Sequence, residues 1–152
     1  MTLVAGPSAV TGESYKYNGT SYLIVDDETI RDNDNKTANI VTTRVTDMRI
    51  LFYADALFNQ NVSSWDTAAV TNMSEMFRFA STFNQDIGNW NIAAVTNMSS
   101  MFNYATAFNQ NLSRWCVQNN FNSEPTSFKT SANNTWANDA SKQPDWDGAS
   151  CP

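Results

Sequence analysis

Histidine is absent from this chain of 152 residues, and cysteine occurs only twice. Without an imidazole there is no Ser–His couple and no histidine-ligated metal, so a common general base and the commonest metal ligand are both missing. Basic residues are scarce too: nine Lys and Arg stand against fifteen Asp and Glu, for a formal net charge of -6. Arg31, Arg44, Arg49, Arg78 and Arg114 are scattered among acids and amides. They do not form the basic stripe that phosphate neutralisation demands, so the chain reads as binding no nucleic acid. No window approaches the roughly 18 apolar residues of a membrane span. Residues 1–7 lack the basic segment and apolar core of a secretory signal.

What is present is a repeat. Phe-Asn-Gln recurs at Phe58, Phe83 and Phe108, each 25 residues from the last. Val45-Thr46-Asp47-Met48 becomes Val70-Thr71-Asn72-Met73 and then Val95-Thr96-Asn97-Met98. Phe52, Phe77 and Phe102 keep the same register, as do Trp65, Trp90 and Trp115. A period of this length marks a supersecondary unit that buries its apolar face only against the next copy. Hydrophobic residues make up 41% of the chain, enough for one domain with a real core.

Within a unit, Val95, Met98, Met101, Phe102 and Ala105 follow a helical spacing, which predicts a helix over residues 96–107. A short strand is placed across residues 109–113, with the strands of successive units forming a narrow parallel sheet. Tyr15 to Tyr17 and Tyr22 to Val25 flank Asn18-Gly19, the signal of a tight type I′ hairpin. Asp26 and Asp27 then cap a brief helix bearing Ile30 inward. After Trp115 the period is lost, and Phe128 with Trp136 or Trp146 is expected to plug the open end.

The two cysteines stand at the edges of this last segment, Cys116 beside Trp115 and Cys151 next to the end. A bridge between them would close a loop of about 35 residues, worth on the order of 3–4 kcal/mol in the chain-entropy picture. It would point to an oxidising, extracellular or virion-surface setting. Two unrelated buried thiols are the alternative.

The run from Val70 to Trp90, and again from Val95 to Trp115, resembles the repeats of BspA-like bacterial surface proteins, which also occur in some phages. A degenerate copy runs from Val45 to Trp65. Tyr22 to Asp27, and Trp115-Cys116-Val117 with Trp146 and Cys151-Pro152, resemble the usual opening and ending of such domains. The resemblance implies an α/β fold: a short leucine-rich-like solenoid of about three 25-residue repeats, with short parallel strands and short helices, capped at both ends. The organisation expected is a single repeat domain over residues 1–152. Residues 1–39 form an N-terminal cap, 40–115 the repeat body and 116–152 a C-terminal cap.

The resemblance also implies a non-catalytic attachment or recognition module at a cell surface, binding a protein or a glycan. The alternative is a phage virion protein, a capsid decoration or fibre component, oligomeric if so. The missing export signal and compact length favour that second reading. No enzyme is expected: the paired acids Asp26 and Asp27 look like helix caps, and Asp86 is replaced by Asn61 and Asn111 in the neighbouring units. Candidate ligand-binding residues are the identical Gln60, Gln85 and Gln110 with nearby Ser63 and Ser113. Coil-to-coil hydrogen bonding would select the same row of amides. No cofactor is expected, apart from a weak calcium candidate at Asp32 and Asp34, which lacks the twelve-residue loop pattern of a dedicated calcium site.

Overall fold

Asn18 and Gly19 have φ of 46° and 80°, the two left-handed positions that a type I′ turn requires. They join strand β1 (Ser14–Tyr17) to strand β2 (Thr20–Ile24), with Tyr15 opposite Tyr22 and Tyr17 opposite Thr20. Strand β3 (Ile40–Val41) lies parallel on the other side of β2. The computed structural model describes residues 4–32, 39–117 and 121–146. Between β2 and β3 the 3-10 turn Thr29–Arg31 buries Ile30 completely. Asp26 anchors it, accepting from the amides of Glu28 and Thr29 and from the Thr29 hydroxyl.

The next carboxylate ties this segment to the repeats. Asp27 accepts from the amides of Thr46 and Asp47 and from the Thr46 hydroxyl. Partial burial works against its charged form, but the Thr46 and Asp47 bonds and the charge of Arg31 outweigh it and hold the carboxyl below its usual range. A depressed folded pKa stabilises the fold above the unfolded value, near 3.9, and that contribution is lost as pH falls through the folded pKa. Asp27→Ala is therefore expected to cost about 1–2 kcal/mol at neutral pH. The deficit should begin to shrink below roughly pH 4, where the unfolded chain's carboxylate takes up its proton first, and vanish below the depressed folded pKa. Urea unfolding at pH 7 and pH 3 measures both; an equal loss at the two pH values would refute the charged role.

The repeat body departs from the expected helix-and-strand design. The stripe over residues 96–107 is not a helix. Met101, Asn103 and Ala105 donate three residues back, to Met98, Ser100 and Phe102, while the alternating amides of Ser100, Phe102 and Tyr104 leave the unit to reach Thr126, Phe128 and Thr130. The same holds one unit earlier, where Met73, Glu75, Phe77 and Phe79 donate to Asn97, Ser99, Met101 and Asn103. It holds again where Met48, Ile50, Phe52 and Ala54 donate to Asn72, Ser74, Met76 and Arg78. Each unit is thus a ribbon of consecutive turns, and half its amides serve the next tier.

Positive φ explains why a helix cannot form. Ile50, Ala54, Glu75, Phe79, Ser100 and Tyr104 all lie between 52° and 61°, two per tier. A left-handed residue reverses the helical sense, and without glycine it costs about 1–2 kcal/mol. Its repetition in register shows that stacking over-determines it. The expected strand over residues 109–113 is also absent. Between tiers, pairing of β type shrinks to the single-residue bridges Asp47 to Asn72 and Asn72 to Asn97. The one sheet among the described residues is the three-stranded β1–β2–β3. The chain is therefore not an α/β leucine-rich-like solenoid. Its helical content among the described residues is one short α-helix, α1 (Asn134–Ala137), and two 3-10 turns, Thr29–Arg31 and Ala140–Lys142.

Burial follows the periodicity closely. Phe77 stacks on Phe52 at 5.5 Å and on Phe102 at 5.6 Å, and Phe83 on Phe58 and Phe108, each at 5.7 Å. Within each tier the two files touch, as Phe77 does Phe83 at 3.9 Å. Trp65 and Trp90 lie parallel at 6.5 Å. The indole nitrogens of Trp90 and Trp115 donate to the carbonyls of Val62 and Ile87, 28 residues back. Trp65 has no such partner, and the position 28 residues before it lies outside the described residues.

The period also continues further than expected. Ser127 and Ser131, with φ of 54° and 55°, repeat Ser100 and Tyr104 after steps of 27 residues. Residues 125–132 are thus a fourth tier. Phe128 and Trp136, both fully buried, close the stack against Phe102 and Phe108, as the plug reading anticipates. Cys116 is disulfide-bonded, and the other cysteine, Cys151, lies outside the described residues.

Candidate interaction surface

The glutamine row is a set of hydrogen bonds between tiers. Asn59 Oδ1 accepts from the Asn84 amide at 2.9 Å and from Gln85 Nε2 at 2.9 Å, and Gln85 Nε2 also reaches the Asn59 carbonyl. Asn84 receives the same bonds from Asn109 and Gln110. Lys142 Nζ ends the row on Asn109 Oδ1 at 2.8 Å. The amide donors of Gln85 and Gln110 are therefore spent inside the fold. Gln60, in the first tier, is exposed. Ser63 and Ser113 are exposed and sit in short turns closed by Asn61 and Asn111 carboxamides, as Gly88 does beneath Asp86. Asp32 is exposed at the end of the 3-10 turn, and Asp34 lies outside the described residues. Among the described residues no group of three or more His, Cys, Asp or Glu could hold a metal ion.

A different row is built on the turn face. The ring of Tyr53 meets Phe79 edge-on at 5.9 Å, and Phe79 stacks on Tyr104 at 4.9 Å. The Arg78 guanidinium lies 5.8 Å from the Tyr53 ring and 5.1 Å from the Phe79 ring, while Nη1 pairs with Glu75 at 2.6 Å. Tyr53 and Tyr104 are exposed, and so are Ile50 and Leu57. These residues come from different tiers and from positions that change chemistry between copies: Tyr53, Arg78 and Asn103 occupy one position, and Ala54, Phe79 and Tyr104 the next. Looking for identical residues misses the row. A signal existed, namely variable large side chains at fixed places in an otherwise strict repeat. Arg78 Nε and Asn103 Oδ1 are buried without a hydrogen-bond partner, and nothing in the structure explains them.

Fold and surface together define a tiered repeat domain of consecutive turns, opened by a small sheet. Residues 24–140 match the family described as Mycoplasma protein of unknown function, DUF285, and the chain belongs to that family. The match runs from the end of β2 to the closing segment after α1. It replaces the BspA-like family that the motifs resemble, whose implied helix-and-strand repeats are not found here. No curated protein and no solved structure matches the chain. Among the described residues no helix is long and apolar enough to cross a membrane.

Proposed function

We propose that this chain is a non-catalytic recognition module that attaches to a protein at a cell or virion surface through Tyr53, Arg78, Phe79 and Tyr104. The observation that supports it is the aromatic and arginine row across three tiers, with Tyr53 and Tyr104 exposed and Arg78 and Phe79 half-buried between them. Tyrosine and arginine are the side chains that most often anchor protein contacts. Protein is favoured over glycan by ring geometry: Phe79 and Tyr104 face each other, and the guanidinium covers Tyr53 and Phe79. Sugars stack on free ring faces, whereas here the Phe79 and Tyr104 faces are turned to each other and the guanidinium lies over the rings of Tyr53 and Phe79. The glutamine row is the weaker candidate, because two of its three amide nitrogens already serve the fold.

Binding of the labelled protein to intact cells tests this reading, with a Tyr53→Ala, Arg78→Ala, Tyr104→Ala triple variant beside a Gln60→Ala, Gln85→Ala, Gln110→Ala variant. The first is expected to bind at least about tenfold more weakly, a loss of roughly 1.4 kcal/mol or more. Removing surface proteins with protease should abolish binding by the parent. Full binding by the aromatic variant, or binding that survives protease but not glycan removal, would overturn the proposal.

A further inference from the structure

Every inner tier gives alternate amides to the next tier and receives bonds on alternate carbonyls from the one before. At the two ends these groups are left over. In the second, third and fourth tiers the carbonyls corresponding to Leu51 and Tyr53 belong to Met76 and Arg78, Met101 and Asn103, and Phe128 and Thr130, and all accept a bond from the preceding tier. The carbonyls of Leu51 and Tyr53 accept none among the described residues. At the far end, the amides corresponding to the donors Phe102 and Tyr104 are those of Lys129 and Ser131, and neither donates to a described residue. Among the described residues the first tier thus shows an open acceptor edge and the fourth an open donor edge.

Water satisfies exposed edges well enough, so openness alone says nothing about a partner. Three features point to a second copy. The polarities are opposite and the spacing is the same, so donors at 129 and 131 match acceptors at 51 and 53. The backbone shape is also shared, since Ser127 and Ser131 repeat the positive φ of Ile50 and Ala54 within a few degrees. The partly closed ends are complementary as well. Arg31 caps the carbonyls of Asp47 and Arg49 from within the chain, and Pro125, which has no N–H, occupies the position that would face Asp47. The first-tier edge is bordered by exposed apolar side chains, Ile50 at 51%, Tyr53 at 45% and Leu57 at 88%.

We infer that the fourth tier of one copy stacks on the first tier of the next, continuing the turn ribbon from molecule to molecule. Such a contact is heterologous, so it grows open chains rather than closing at a dimer. Each copy carries a formal net charge of -6, so association should strengthen as salt screens the repulsion.

Sedimentation velocity on the purified chain tests this with two variants, Ala54→Asp at the acceptor edge and Ser131→Asp at the donor edge. Both positions are exposed with φ near 55°, a region aspartate tolerates, so both variants should keep the parent's melting temperature. Across a hundredfold rise in concentration the parent's weight-average mass should climb past twice the monomer mass, while each variant alone stays monomeric. Mixed in equal amounts, the variants retain one intact pair of edges between them and should form a dimer that grows no further. A parent that stays monomeric, a parent that stops at a dimer, variants that associate like the parent, or a mixture that stays monomeric would each overturn the inference.

Discussion

Trp90→Ala is expected to lower stability by about 3–5 kcal/mol, the range for a large aromatic that leaves a cavity. Trp90 lies in the central file, parallel to Trp65 and 6.2 Å from Phe77, and is 4% exposed. Its removal also strips the Val62 carbonyl of its indole donor. Trp90→Phe should recover most of the packing and leave a deficit of about 1–3 kcal/mol from that unsatisfied carbonyl. Half-buried Trp146, which packs against Phe121 and Phe128 near the end of the stack, should cost less than Trp90 when cut to alanine. Urea midpoints give the order. A midpoint for Trp90→Ala within error of the parent would place the tryptophan file outside the core.

Gly88→Ser separates the reading of the repeat from the reading of the structure. Its counterparts are Ser63 and Ser113, so a consensus of the repeats makes serine a neutral choice. The backbone disagrees. A Cβ at position 88 would stand 2.5 Å from the Asn111 carbonyl oxygen in the next tier, and a backbone atom cannot give way as a side-chain tip can. The second and third tiers must part slightly, at a cost of about 1–3 kcal/mol, the usual penalty of overpacking. Parent-like thermal unfolding of Gly88→Ser would show that the tiers separate freely here.

The sequence made the inside and outside of each unit legible but not its backbone. Met98, Met101, Phe102 and Ala105 are all fully buried, as their spacing anticipates. A ribbon of turns that donates three residues back presents the same faces as a helix, so periodicity could not separate the two. The distinguishing feature is positive φ, which glycine or asparagine would normally announce. Here it is carried by Ile50, Ala54, Glu75, Phe79, Ser100 and Tyr104, residues with no such preference. The fourth tier is hidden in the sequence because its step is longer by two residues. Lys129 also stands where the earlier tiers have Phe52, Phe77 and Phe102. At the surface, identity between copies drew attention to Gln60, Gln85 and Gln110, and identity there reflects hydrogen bonding between tiers. The aromatic row differs from tier to tier, and only the turn geometry brings Tyr53, Phe79 and Tyr104 into one file.

Scalar couplings across hydrogen bonds, read by NMR on the labelled protein, test the tiered turn ribbon most directly. The amide nitrogens of Phe52, Phe77 and Phe102 should couple to the carbonyl carbons of Met76, Met101 and Phe128, the partners that stacking assigns them. Couplings from Phe77 to Met73 and from Phe102 to Met98, four residues back within the same unit, would be those of an α-helix and would contradict it.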